Sequence, residues 1–110
     1  MVETVSFGSK RNYNDFKKQI PISIQPLFDS IRDLCLSLGE NVVEDIRMHR
    51  VVFGKSMTFR WFVDIEPERD IIIIKIQKSR KENPQILQIK TKQEVTELKE
   101  MIKKAFELIN

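Results

Sequence analysis

The first regular pattern along the chain is that of an amphipathic helix. From Ser23 onward, apolar residues recur at intervals of three and four, the spacing that lines one face of an α-helix. They are Ile24, Leu27, Phe28, Ile31, Leu34, Cys35 and Leu38. Ser23 suits the N-cap, Pro26 is tolerated in the first turn, and Gly39 suits a left-handed residue after the end. The pattern predicts a helix over residues 24–38.

The next two runs predict β-strands. Residues 42–53 are rich in β-branched side chains without a helical stripe, which predicts one strand, most regular over 46–53, followed by a turn at 54–56. Residues 58–65 alternate, so one predicted face carries Phe59, Trp61, Val63 and Ile65, and the other carries Thr58, Arg60, Phe62 and Asp64. We expect the first set to face the helices and Phe62 to face away.

Two further strands complete a predicted sheet of four. Residues 71–76 are apolar on both faces, as in an interior strand, and residues 85–90 form a shorter strand. The linkers are too short for parallel crossovers, so they favour an antiparallel meander. Thr91 and Glu94 form a T-x-x-E capping box, and an apolar stripe follows it, which predicts a closing helix from Lys92. The fold class is therefore α+β, with two helices packed on one face of the sheet.

The N-terminal residues show no sustained periodicity of hydrophobic positions. We interpret residues 1–21 as an arm and 22–110 as one α+β domain. Phe7, Tyr13 and Phe16 would expose much apolar surface in a free tail, so we expect at least part of the arm to dock, with a helical turn over 14–20.

Two stretches carry a resemblance to a known family. LFDSIR (27–32) leading to LGENV (38–42), and FVDIEP (62–67) leading to the run at 71–76, resemble the family called domain of unknown function 5655. The resemblance spans residues 24–109, and the chain departs from it at 48–59, where a lysine-tyrosine pattern is missing. It implies a module often found in predicted restriction or nuclease-like proteins, some of which are labelled predicted transport proteins.

Composition narrows the class of protein. The 110 residues are 41% hydrophobic and 32% charged, which is typical of a folded domain with a charged surface. With 19 basic and 16 acidic residues, the net charge of +3 permits nucleic-acid binding without requiring it. The one cysteine, Cys35, cannot form a disulfide within the chain, and no apolar run suggests a membrane span or a secretory signal. These features predict a cytoplasmic protein that does not enter membranes.

Candidate chemistry is sparse, and we predict no catalytic, cofactor-binding or metal-binding residue. The one histidine, His49, lies between arginines in a predicted strand and has no nucleophile placed beside it by sequence. A remote alternative is a metal-dependent hydrolase using Asp64, Glu66, Glu68 and Asp70. Against that alternative, Glu66 is followed by Pro67, where a nuclease core would place a lysine on the strand.

Two surfaces remain as candidates for function. The first comprises Phe62, Ile71, Ile73 and Ile86, apolar residues predicted on the sheet face away from the helices. The second is the densest basic group, Lys75, Lys78, Arg80 and Lys81, with Arg47, Arg50 and Arg60 on neighbouring strands. The N-terminal aromatic residues, a second copy of the chain or another protein could cover the apolar face. The sequence thus favours a non-enzymatic interaction module, self-associating as a homodimer or binding another protein through the outer sheet face or its edge. The alternative is a nucleic-acid-binding accessory domain.

Overall fold

A computed structural model describes residues 11–56 and 60–109 of the chain. The elements are α1 (Tyr13–Lys17), a 3₁₀ turn (Ile22–Ile24), α2 (Gln25–Leu36), β1 (Val42–Ile46), β2 (Val51–Lys55), β3 (Arg60–Pro67), β4 (Ile72–Ile76), β5 (Gln85–Ile89) and α3 (Lys92–Leu108). The predicted α+β class is confirmed. The positions predicted for Phe7, Thr58 and Phe59 lie outside the described residues.

The described residues form a sheet of five strands in the order β1-β2-β3-β4-β5, and every neighbouring pair is antiparallel. The meander was therefore predicted correctly, but the count of four strands is wrong. Residues 42–53 form a hairpin, in which the Arg47 amide donates to the Arg50 carbonyl at 2.8 Å. The turn consists of Arg47, Met48, His49 and Arg50, and none of these is a typical turn residue.

A β-bulge in β3 reverses the predicted faces of two aromatic residues. Phe53 pairs with Val63 and Gly54 pairs with Trp61, which leaves Phe62 as an extra residue between the two pairs. Phe62 is 0% exposed and packs edge-on against Phe106 of α3, with ring centroids 5.2 Å apart. Trp61 lies on the opposite face, so the prediction that Trp61 faces the helices and Phe62 faces away is wrong.

The helices cover one face of the sheet. α2 contacts β1 and α3, and α3 also contacts β3 and β4. Ile31 and Cys35 of α2 and Ile102 of α3 are among the buried residues that form one core with the strands. The capping box of α3 is confirmed, since Thr91 Oγ1 accepts from the Glu94 amide at 3.2 Å and Glu94 accepts from the Thr91 amide at 2.9 Å.

Both predicted ends of α2 need correction. Ser23 lies inside the 3₁₀ turn, and the N-cap is Ile24, which makes no side-chain capping bond. At the other end α2 stops at Leu36, and Gly39 does not adopt the left-handed backbone that we expected. A Cβ atom on Gly39 would lie 3.6 Å from the Phe106 ring, so this glycine lies where α3 closes on the loop after α2.

The arm residues that the structure describes pack onto α2. The rings of Tyr13 and Phe16 lie 6.2 Å and 5.7 Å from that of Phe28, and both side chains are buried together with Ile20. The predicted helical turn at 14–20 corresponds to α1.

Candidate functional site

The face of the sheet turned away from α2 and α3, here called the outer sheet face, carries a mixture of apolar and charged side chains. Cross-strand pairing assigns them, because paired residues share a face and alternate residues change face. The residues on this face are Val43, Asp45, Val52, Gly54, Trp61, Asp64, Glu66, Ile73, Lys75, Ile86 and Gln88. The outer sheet face is therefore the natural place to look for a partner.

The predicted apolar interface is only partly assembled. Ile73 and Ile86 lie on the outer sheet face, where Ile86 is 60% exposed, and Ile71 is half-buried just before β4. Phe62 does not join them, because the bulge turns its ring into the core. The apolar stripe therefore belongs to β4 and β5, at one side of the sheet.

The two edge strands of the sheet differ in charge. Among the described residues, β5 (Gln85–Ile89) pairs with β4 alone, and its sequence QILQI contains no charged residue. β1, at the other edge, carries Glu44 and Asp45, and Glu44 is held by Arg32 of α2. Proteins usually protect exposed edge strands with charges, proline or bulges. The β5 edge lacks the charges that mark the β1 edge.

The four residues of the predicted basic group do not share one surface. Lys75 lies on the outer sheet face, directly across from Asp64 and Ile86. Lys78 instead lines a cleft of about 300 Å³ on the helix side, together with Lys103 and Lys104 of α3. Lys81 is exposed in the β4–β5 loop, and Arg80 in the same loop lines a separate groove. Binding of nucleic acid by all four residues together is not supported by this placement.

Two of the additional arginines are held in ion pairs. Arg47 Nε lies 3.0 Å from Asp45 Oδ2, beside the β1–β2 turn. Arg50 lies between two outer-face carboxylates, with Nη1 3.3 Å from Asp64 Oδ2 and Nη2 3.7 Å from Glu66 Oε1. Asp64 is only 8% exposed, so this guanidinium compensates a nearly buried charge.

The acidic residues of the hydrolase alternative are also separated. Asp64 and Glu66 are occupied by the Arg50 guanidinium, whereas Glu68 and Asp70 are exposed in the β3–β4 turn. Within residues 11–56 and 60–109, no three Asp, Glu, His or Cys side chains are grouped so that they could hold a metal ion. His49 is exposed in the β1–β2 turn.

Sequence reasoning missed an open groove beside Trp61. The groove has a volume of about 520 Å³ and lies between the start of β3 and the β4–β5 loop. It is lined by Arg60, Trp61, Gln77, Arg80, Glu82, Asn83, Pro84 and Ile109. The alternating pattern of β3 had placed Trp61 in the core, and only the pairing with Gly54 shows where the indole lies.

Comparisons with protein-family models, with curated proteins and with solved structures gave no significant match to this chain. The family resemblance described above therefore stays a prediction. None of the helices described here has the length and apolar character needed to span a membrane.

Proposed function

We propose that this protein is a non-enzymatic interaction module that self-associates by pairing the β5 edges of two copies. The proposal is carried by one observation: in the part of the chain that the structure describes, β5 is an uncharged edge strand that bears a largely exposed isoleucine. Such an edge presents unpaired backbone donors and acceptors to a second strand.

The β5 sequence suits pairing with its own copy. In an antiparallel pair centred on Leu87, Gln85 would lie opposite Ile89 and Ile86 opposite Gln88. No like charges would oppose each other within the strand, and the arrangement has the two-fold symmetry of most homodimers. The two sheets would become one continuous sheet, so the unpaired backbone groups of each β5 edge would form hydrogen bonds with those of the other.

Apolar burial would add to the backbone hydrogen bonds. Ile86 is exposed in the single chain, and Ile73 lies on the same face one strand inward. Full burial of an isoleucine side chain contributes about 1.5–3 kcal/mol, which makes Ile86 the main apolar contact of the proposed dimer.

A pair of matched substitutions tests the proposal. Ile86→Lys puts a charge on the β5 edge, and Val43→Lys makes the same kind of change on β1, where Val43 is 40% exposed on the same face. We expect light scattering to show a mass that rises with concentration toward a dimer for the wild type and for V43K, and a monomer for I86K. Circular dichroism should show the same fold in all three.

Two results would overturn this proposal. A wild-type chain that stays monomeric at the highest soluble concentration shows that β5 does not pair. Dissociation by V43K as well as by I86K would instead assign the contact to the outer sheet face as a whole. A second candidate function, nucleic-acid binding, is favoured by the groove beside Trp61.

A further inference from the structure

Trp61 lines two cavities of the protein. One is a small cavity of about 130 Å³ whose lining includes Val43, Val52 and Gly54. The other is the groove of about 520 Å³, whose lining includes Arg60 and Arg80. The chain has one tryptophan, and the indole is only partly buried. A large aromatic ring is thus accessible beside two guanidinium groups.

The glycine opposite Trp61 shapes this site. Gly54 pairs with Trp61 across the β2–β3 ladder, and a Cβ atom there would lie 2.9 Å from the Arg60 carbonyl oxygen. Because Gly54 has no side chain, the sheet surface next to the indole stays open, and Gly54 itself lines the small cavity. The bulge that buries Phe62 is thus also what presents Trp61 on the outer sheet face.

The far wall of the groove is a loop fixed by its own hydrogen bonds. Gln77, which is 8% exposed, donates through Nε2 to the carbonyl oxygens of Ser79 and Glu82, the latter at 2.8 Å. The Lys81 amide donates to Ser79 Oγ at 3.0 Å. Arg80 lies between these anchored positions and has no ion-pair partner within the described part of the chain. The loop therefore holds the Arg80 guanidinium at the groove without pairing it with a carboxylate.

We propose that this groove binds a nucleotide unit, with the base stacked on Trp61 and the phosphate bound by Arg80. Base stacking on an aromatic side chain and charge-assisted bonds from arginine to phosphate are the usual elements of such sites. Within the described residues the Arg80 guanidinium is in no ion pair, so it can attract an anion into the groove. The volume falls in the range of small-molecule sites.

The same chemistry exists in a free nucleotide and in single-stranded nucleic acid, and the intrinsic fluorescence of Trp61 can separate the two. The protein is titrated with thymidine monophosphate and, separately, with a short thymidine oligonucleotide, at low and at high salt. We expect quenching by the oligonucleotide that weakens with salt. Equal quenching by the mononucleotide at matched phosphate concentration assigns the groove to a free nucleotide.

Charge reversal at Arg80 is the specific test. Arg80→Glu should weaken oligonucleotide binding by about tenfold or more, because it replaces a phosphate-binding cation with a repelling anion. Arg69→Glu is the matched control, since Arg69 is exposed in the β3–β4 turn and does not line the groove. It should leave the affinity within about twofold. Trp61→Ala, measured by anisotropy of a labelled oligonucleotide, should lose a similar factor to R80E through the lost stacking.

The proposal is overturned if neither ligand changes the fluorescence or the anisotropy. It is also overturned if R69E weakens binding as much as R80E does, because binding would then follow net charge alone. Repeating the titration with I86K keeps this proposal separate from self-association: binding by monomeric I86K supports the groove irrespective of β5 pairing. If the wild type binds the oligonucleotide and I86K does not, the binding site requires the dimer, and the proposal that the groove of one chain forms the site is refuted.

Discussion

The hydroxyl of Tyr13 donates a 2.6 Å hydrogen bond to Asp29 and thereby fastens the N-terminal arm to α2. Lys17 adds an ion pair to the same carboxylate at 2.7 Å. The guanidinium of Arg32 lies 4.0 Å from the centre of the Tyr13 ring and forms two hydrogen bonds with Glu44 of β1, at 2.5 and 3.0 Å. These polar contacts join α1, α2 and β1 at the edge of the core.

This network predicts that the free energy of unfolding decreases as the pH falls into the acid range. Burial alone would raise the pKa of Asp29, but the hydrogen bonds from Lys17 and Tyr13, together with the positive charges of Lys17 and Arg32, outweigh it and lower that pKa below its usual value. A carboxylate with a lowered pKa stabilises the folded state above its unfolded pKa and loses that contribution as the pH falls through its folded pKa. We expect the free energy of unfolding of the wild type and of Asp29→Asn to differ most at neutral pH and to converge in acid.

Urea unfolding at several pH values measures this difference. Asp33→Asn removes a charge from the exposed side of the same helix, and so reports the effect of net charge alone. Tyr13→Phe should show part of the D29N effect, because it removes one of the two hydrogen bonds to the carboxylate. A constant gap between the wild type and D29N across the acid range would contradict the prediction.

The two described glycines that contact other elements should respond differently to alanine. At Gly54 the new methyl group would meet the Arg60 backbone at 2.9 Å, so a strand must shift, at a cost of about 1–3 kcal/mol. At Gly39 the close atom is the Asn41 side chain, also at 2.9 Å, and an exposed side chain can rotate away. We expect G39A to stay within about 0.5 kcal/mol of the wild type in urea unfolding. Equal losses in both variants would show that the bulge does not constrain Gly54.

The adjacent aromatic residues of β3 should contribute very unequally to stability. Phe62→Ala removes a fully buried ring that packs against Phe106, and should cost about 3–5 kcal/mol. Trp61→Ala removes a partly exposed ring from the outer sheet face, and should cost about 1 kcal/mol. Thermal unfolding followed by circular dichroism compares the two. A larger loss of stability in W61A than in F62A would contradict the bulge and would place Trp61 in the core, as regular alternation along β3 predicts.

Cys35 should be chemically inert in the folded protein. The thiol is fully buried, and that burial, with a smaller contribution from Glu44, raises the pKa of Cys35. Since the thiolate is the reactive form, we expect a chromogenic disulfide reagent to react at least about 10³-fold more slowly with the native protein than with the protein in denaturant. Ser37→Cys, at the exposed C-cap of α2, provides a fast-reacting control. Equal rates for the two thiols under native conditions would show that the contact between α2 and the sheet opens readily.

Sequence patterns predicted some features that depend on neighbouring residues. The capping box of α3 needs only Thr91 and Glu94, and the antiparallel order follows from short connections. The faces of β3 could not be predicted in the same way. The position of Phe62 depends on an extra residue relative to β2, and a bulge exists only with respect to a pairing partner.

The candidate surfaces show the same division. The exposure of Ile86 follows from alternation within β4 and β5, whereas the separation of Lys75 from Lys78 needs the position of α3. The groove beside Trp61 combines β3 with a loop that follows β4, and nothing in the spacing of these residues joins them. The turn at Arg47–Arg50 was missed because its residues carry no turn signal.

The order of the strands has a consequence for how the chain reaches its native state. Each strand pairs with the next one along the chain, so the sheet can grow one hairpin at a time with little loss of chain entropy at each step. Contacts between distant parts of the sequence come from α3, which packs on α2 and on the middle of the sheet. Chains in which most strand pairs are close in sequence fold faster than chains with long-range strand pairing. We therefore expect rapid folding, in which docking of the C-terminal helix completes the core.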